Sequence, residues 1–334
     1  MADPLVKTMT LFAAVVMLTA ATIVTPVSAD PNPRPFENWK TDFERTNIDV
    51  SAIISGGPPK DGIPAIDSPR FISIAKATAL ADREPVIGIE INDDARAYPL
   101  GVLMRHEIAN DVIGGKPVIV TFCPLCNSAI VFDAMIDGKR HDFGTTGRLR
   151  NSDLVMYDRQ TESWWQQFSG EALIGHYVGR KLEPIPSRME SFANFKKRYP
   201  EGKVMAGEHG SLASYGANPY TGYDTAARPF LYRGEMPKNI DPMERVVVVR
   251  EGAKPIIVTM KAVRKKGKMK VSGYDIVWTK GQASALDTRR ISEGREVGNI
   301  TVTQMTDGKK QDVVHDVTFA FVAHAFMPET KILR

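Results

Sequence analysis

Between residues 85 and 135, apolar and β-branched residues come in short runs separated by turn residues, and these runs predict strands. Residues 86–91 (Val-Ile-Gly-Ile-Glu-Ile) read as one strand, Asn92, Asp93 and Asp94 as a turn, and residues 95–98 as the returning strand. Pro99 suits the first turn of a short helix that continues through His106 to Ile108. Gly114 and Gly115 turn the chain into residues 117–122, rich in β-branched side chains, and residues 128–132 read as a further strand. Cys123 and Cys126 therefore fall at a strand end or in a tight turn between two strands.

Elsewhere the pattern is more mixed. Residues 36–50 and 72–81 have helical composition, and the Gly-, Pro- and Asp-rich stretch 55–69 between them predicts a loop. Residues 140–143 and 154–157 read as strands, with Gly144-Thr145-Thr146-Gly147 as the loop between them, and 164–168 as a short strand. Ser187 and Glu190 have the spacing of a capping box, followed by Phe192, Phe195 and Tyr199 at helical intervals. Residues 207–242 are rich in Gly, Pro and Tyr with little periodicity, which predicts a long loop or a boundary. From Arg245 onward strand signals recur at 246–249, 256–260, 271–278, 300–305 and 317–322. The expected fold is mainly β (α+β): antiparallel, in part barrel-like sheets with a few short helices. Residues 30–242 form the expected main domain, and 243–334 a β-rich part, separate or completing the same domain.

The N-terminus changes the picture of compartment. Residues 9–24 form an apolar run diluted only by Thr, Thr25 and Pro26 break it, and Val27-Ser28-Ala29 places small residues where a signal peptidase reads them. The run is short for a bilayer span, which needs about 20 residues. The expectation is a signal peptide over residues 1–29, cleavage before Asp30, and a periplasmic or secreted protein with no membrane span after cleavage.

Composition is ordinary for a globular chain: 43% of the 334 residues are hydrophobic and 25% charged. The net charge of +4 is mild. The one dense basic run, residues 264–270, reads as a solvated hairpin turn, so no nucleic acid is expected as a partner. Only two cysteines are present. A CxxC pair closes too small a loop to restrict the unfolded chain much, so stability is not what these two supply.

Two sulfurs at this spacing can form a reversible disulfide, bind a soft metal, or make a reactive thiolate with a resolving partner. A thioredoxin-type pair is activated by the helix that starts at its first cysteine. Here a strand pattern follows, and Cys-Pro-x-Cys between strands suits a thiolate knuckle for copper, zinc or iron. His106, just before the same strand, is the candidate third ligand. Gly144-Thr145-Thr146-Gly147 lacks the Lys-Ser/Thr ending of a phosphate loop and reads as a turn. Trp164 and Trp165 put one indole on each face of a strand, one of them toward a cleft.

Taken together, Asp61-Gly62-Ile63-Pro64-Ala65-Ile66-Asp67, His106-Glu107-Ile108-Ala109-Asn110-Asp111, Cys123-Pro124-Leu125-Cys126, Asn151-Ser152-Asp153-Leu154 and Ser163-Trp164-Trp165-Gln166 make the chain resemble the family catalogued as domain of unknown function 3179. The resemblance runs from about Gly56 to the C-terminus. It implies an exported protein with a Cys-Pro-Leu-Cys motif and brings no activity. It clusters His106, both cysteines, Asn151, Asp153 and Trp164 into one site. Two positions depart from the pattern: Asn127 stands where Gly is expected, and Met327 where His is usual.

Three readings follow. The first is a metal site on Cys123, Cys126 and His106, with Asp67, Asn151, Asp153 and Trp164 toward a substrate. The second is a thiol–disulfide oxidoreductase meeting a redox partner protein, with Cys123 as nucleophile and Cys126 resolving. The third is a non-enzymatic binder of a small molecule, using the Trp164 region and nearby tyrosines.

Overall fold

In the computed structural model, which describes residues 38–207, 211–215, 217–252 and 254–334, the β-branched runs fold as hairpins. Pro85–Ile91 pairs antiparallel with Asp94–Pro99. Lys116–Cys123 pairs antiparallel with Ile108–Ile113 on one side and Ser128–Asp133 on the other, setting Cys123 opposite Ser128. The first five residues of Ser128–Asp133 are all buried, as are residues 118–123. These two strands are therefore covered on both faces, which is why residues 118–123 and 129–132 run almost continuously apolar rather than alternating. The leader expected over residues 1–29 lies outside the described residues.

The architecture is mainly β, with mostly antiparallel sheets and a few short helices. Phe143–Arg150 and Asp153–Asp158 form the centre of a second sheet, continued by Trp164–Gln166. In the C-terminal part, Arg245–Val249 pairs with both Ile256–Thr259 and His315–Phe319. One buried apolar cluster joins Phe122, Cys126 and Val131 of the cysteine hairpin to Val246, Val248, Phe319 and Phe321 of the C-terminal part. Full burial of side chains of this size contributes ~1.5–3 kcal/mol each. Residues 40–334 make one compact unit.

Several local expectations are corrected. The described part of 36–50 is turns, with a 3-10 turn beginning at Val50. Asp42, Thr46 and Asp49 accept hydrogen bonds from the backbone N–H two residues on, a local alternative that competes with helix. Within 72–81, Phe71–Ser73 is drawn into a strand against Lys203–Met205, and only Ile74–Lys76 makes a 3-10 turn. Ser191, not Ser187, caps the helix Phe192–Arg198 by accepting from Asn194 N–H at 3.3 Å. Glu190 is instead buried against Arg198.

Residues 144–147 are not a loop but part of the strand Phe143–Arg150, bulged between Thr145 and Arg148. Gly147 sits at φ 70°, where a Cβ would lie 1.9 Å from the Pro58 carbonyl oxygen. The basic run is also not a hairpin turn. Its first residues end the helix Met260–Lys266, which stops at Gly267 (φ 72°) before the strand Lys268–Val271. Residues 317–322 divide between the strand His315–Phe319 and the helix Ala320–Phe326.

Candidate functional site

The cysteine turn is made by its own backbone and held by the C-terminal strand. Cys126 N–H donates to Cys123 O and Asn127 N–H to Pro124 O, both at 3.2 Å. Asn127 adopts φ 50°, a left-handed position in which Asn is the commonest substitute for Gly. Its side chain then does what Gly could not, donating to Val317 O at 2.8 Å. Thr318 Oγ1 and Phe319 N–H donate to Cys126 O, and Ser128 Oγ donates to Asp316 Oδ2 at 2.7 Å. Arg250 Nη2 lies 3.7 Å from the same carboxylate, and its guanidinium covers the Phe168 ring at 4.0 Å.

Cys123 and Cys126 are both buried, and no disulfide joins them. Asp153 is the third member of the centre: its carboxylate oxygen and the two Sγ atoms all lie within 4.8 Å of one another. The chain reaches it through Asn151 and Ser152, both at positive φ, which turn Phe143–Arg150 back into Asp153–Asp158. Ser152 O lies 3.9 Å from Cys123 Sγ and 3.5 Å from Cys126 Sγ. Asp153 Oδ2 accepts from Gln166 Nε2 at 2.7 Å and Phe168 N–H at 2.8 Å.

Burial pushes the Asp153 carboxyl up to about 6. Burial, with the charge of Asp153 behind it, pushes Glu107 to about 8. Burial also raises both thiols, Cys126 well above its ordinary value. Burial disfavours charge throughout the centre, and hydrogen bonding with the two thiols offsets part of that at Asp153. Glu107 itself is held at φ 58°, an uncommon backbone conformation for a non-glycine residue.

Beside the centre is a cavity of about 440 Å3. Leu125 of the cysteine turn, Glu107 and Leu154 line it, and a segment carrying Tyr220, Tyr223 and Phe230 closes its other side. That segment is tied to the centre: Tyr223 OH donates to Leu125 O at 2.9 Å and Ser152 Oγ donates to Phe230 O.

The expected site residues divide. The structure brings Cys123, Cys126 and Asp153 together. His106 does not join them. Its ring nitrogens are engaged by Pro64 O at 2.8 Å and Tyr215 OH at 3.0 Å, which leaves no lone pair aimed at the sulfurs. Asn151 shapes the turn before Asp153. Asp67 lies apart, on the surface, 46% exposed and paired with Arg159. Trp164 is not a cleft wall: it is fully buried, edge-on to Phe43 at 5.3 Å. Met327 caps the helix Ala320–Phe326 and packs against the core. The residues not anticipated are Glu107, hidden beside the more conspicuous His106, and the tyrosine segment, whose signal was the Tyr content of the aperiodic stretch 207–242.

A family model described as "Protein of unknown function (DUF3179)" matches residues 60–330. No curated protein and no solved structure gives a significant match.

Proposed function

The chain belongs to the family described as protein of unknown function (DUF3179), and we propose that its cysteine centre is a metal site in a protein exported from the cytoplasm. The observation that carries this reading is the convergence of Cys123, Cys126 and Asp153 within 4.8 Å in a buried position. Buried acids without a compensating cation are costly, and a divalent ion would hold all three deprotonated.

Two thiolates and one carboxylate oxygen suit zinc with a fourth position open. Bonds of about 2.0–2.3 Å to a tetrahedral zinc put its donors roughly 3.5–4 Å apart, so small side-chain rotations close the site. Copper(I) prefers an all-sulfur set, and the carboxylate argues for zinc or ferrous iron over it. Glu107, in electrostatic contact with Asp153 and on the cavity wall, links the centre to the space beside it.

The thiol-redox reading is less well supported by the geometry. No helix starts at Cys123, and burial raises both thiols instead of lowering one. Export is supported by the apolar run 9–24 followed by Val27-Ser28-Ala29. N-terminal sequencing of the mature protein is expected to begin at Asp30.

The test of the centre is metal content and free-thiol count on full-length-expressed protein purified from its own compartment without chelator. Stoichiometric zinc, lost in Cys123→Ser and in Asp153→Asn, is the expected result. A metal-free protein with no titratable thiol after unfolding would mean a disulfide and would overturn the proposal.

A further inference from the structure

The cavity beside the centre has walls of two kinds. Ile63, Leu125, Leu149 and Leu154 make an aliphatic side, and Tyr220, Tyr223 and Phe230 an aromatic one. Among the described lining residues Glu107 is the only acid and Arg148 the only base. The Glu107 side chain is buried and lines the cavity, so the cavity offers a single carboxyl within a largely apolar enclosure. At about 440 Å3 it has the size of a small-molecule site, which typically runs from about 300 to 1,000 Å3.

The aromatic wall is built, not incidental. Its segment is anchored at both ends of its first turn: Asn218 Nδ2 donates to Ala285 O at 2.9 Å, and Gly222 N–H to Asp287 O at 2.6 Å. It reaches the cysteine turn through the Tyr223–Leu125 hydrogen bond. Phe230, at the end of the segment, is 57% exposed although it lines the cavity, a large apolar side chain left at the mouth.

We propose that this cavity binds an uncharged, ring-bearing organic molecule with one hydrogen-bonding group, its ring between the aliphatic and aromatic walls and its polar group at Glu107. A ligand anion would meet the Glu107 carboxyl and a ligand cation the Arg148 guanidinium, so a lining with one acid and one base favours neither charge. A ligand without any polar group would give the Glu107 carboxyl no hydrogen bond. The aromatic side supplies offset or edge-on ring contacts beyond simple burial. The cysteines are not among the lining residues, so the proposal does not depend on metal at the centre.

The test is calorimetric titration of the mature protein with naphthol, naphthalene, naphthoate and naphthylmethylamine, with metal content measured on the same sample. Naphthol is expected to bind saturably and best of the four. Ile63→Trp, which fills the aliphatic side, is expected to weaken naphthol about tenfold or more, equivalent to ~1.4 kcal/mol. Phe230→Ala changes only the exposed rim and is expected to weaken it less while leaving the fold intact by circular dichroism. Glu107→Leu is expected to remove the preference for naphthol over naphthalene. Absence of saturable naphthol binding, equal binding of the charged probes, or unchanged affinity in both Ile63→Trp and Phe230→Ala overturns the proposal. Loss of metal in a protein that still binds naphthol counts against the metal centre alone.

Discussion

Two buried acids in this protein are handled in opposite ways. The Asp224 side chain is fully buried, and its Oδ2 receives Arg245 and Arg295, each at 2.8 Å, together with the Ser284 hydroxyl. Asp153 is equally buried, but it accepts from neutral groups, Gln166 Nε2 and the Phe168 N–H, beside two thiols and within electrostatic reach of a second acid, Glu107. Arg250 and Arg150 act on Asp153 electrostatically, Arg150 from the cross-strand position and through Gln166, and no ion pair joins either of them to it among the described residues. The chain neutralises Asp224 with its own cations. At Asp153 it gathers two thiols and a second acid with no ion pair among the described residues, and that difference supports the proposal that the second centre takes a metal ion.

The contrast can be broken most directly at the sulfurs. Cys126→Ser removes one thiolate, and metal retention is expected to vanish, because a structural or catalytic zinc rarely survives loss of a protein ligand. Asp224→Ala is expected to leave metal content untouched. Its effect is on stability: it strands the buried Arg245 and is expected to cost about 3–5 kcal/mol in urea unfolding. Asp153→Asn in metal-free protein is expected to change stability by no more than about 1 kcal/mol, since the amide oxygen still accepts from Phe168 and Gln166 and an unfavourable charge is gone. A loss at Asp153 as large as that at Asp224 would mean the two centres are alike and both structural.

A smaller, continuous effect is expected with pH. Both carboxyls have raised folded-state values, Asp153 from 3.8 to about 6 and Glu107 from 4.5 to about 8. The folded metal-free protein therefore binds protons that the unfolded chain releases, and its stability falls as pH rises from about 4 to about 8. Metal reverses the trend, because its ligands must lose their protons to bind. Thermal melts of metal-free protein against the double variant Glu107→Gln, Asp153→Asn check this: the difference between the two is expected to grow with pH. A difference that is flat across this range would show that these carboxyls are not held in the raised state.

How far the chain could be read follows the same division between local and long-range causes. The hairpins around Cys123 were legible because β-branched runs and Gly or Asx turns act over a few residues. The helix expected over 36–50 failed for a local reason as well, since Asp42, Thr46 and Asp49 satisfy nearby backbone in turns. The cysteine pair was legible as a candidate, and its third donor was not. Asp153 reaches the sulfurs only because Asn151 and Ser152 reverse the strand, and His106 is turned away by Pro64 and Tyr215, partners distant in sequence. The brace behind the turn, Asp316 with Ser128, spans 188 positions and leaves no local signature.

The smallest expected effect tests where the centre ends. Asp67 shares a motif with the residues around the centre, yet it lies on the surface, 46% exposed, paired with Arg159 at 33% exposure and accepting from Asn110 Nδ2 at 2.8 Å. Exposed ion pairs of this kind contribute about 0–1 kcal/mol because water screens them. Asp67→Ala is therefore expected to shift the urea midpoint only slightly and to leave metal content at the wild-type value, measured on the same preparation. Metal loss in that variant would place Asp67 in the centre and undo the division drawn here, since a surface carboxylate would then be acting through Asn110, whose side chain also accepts from Phe143 N–H at 2.8 Å at the start of the strand that leads to Asp153.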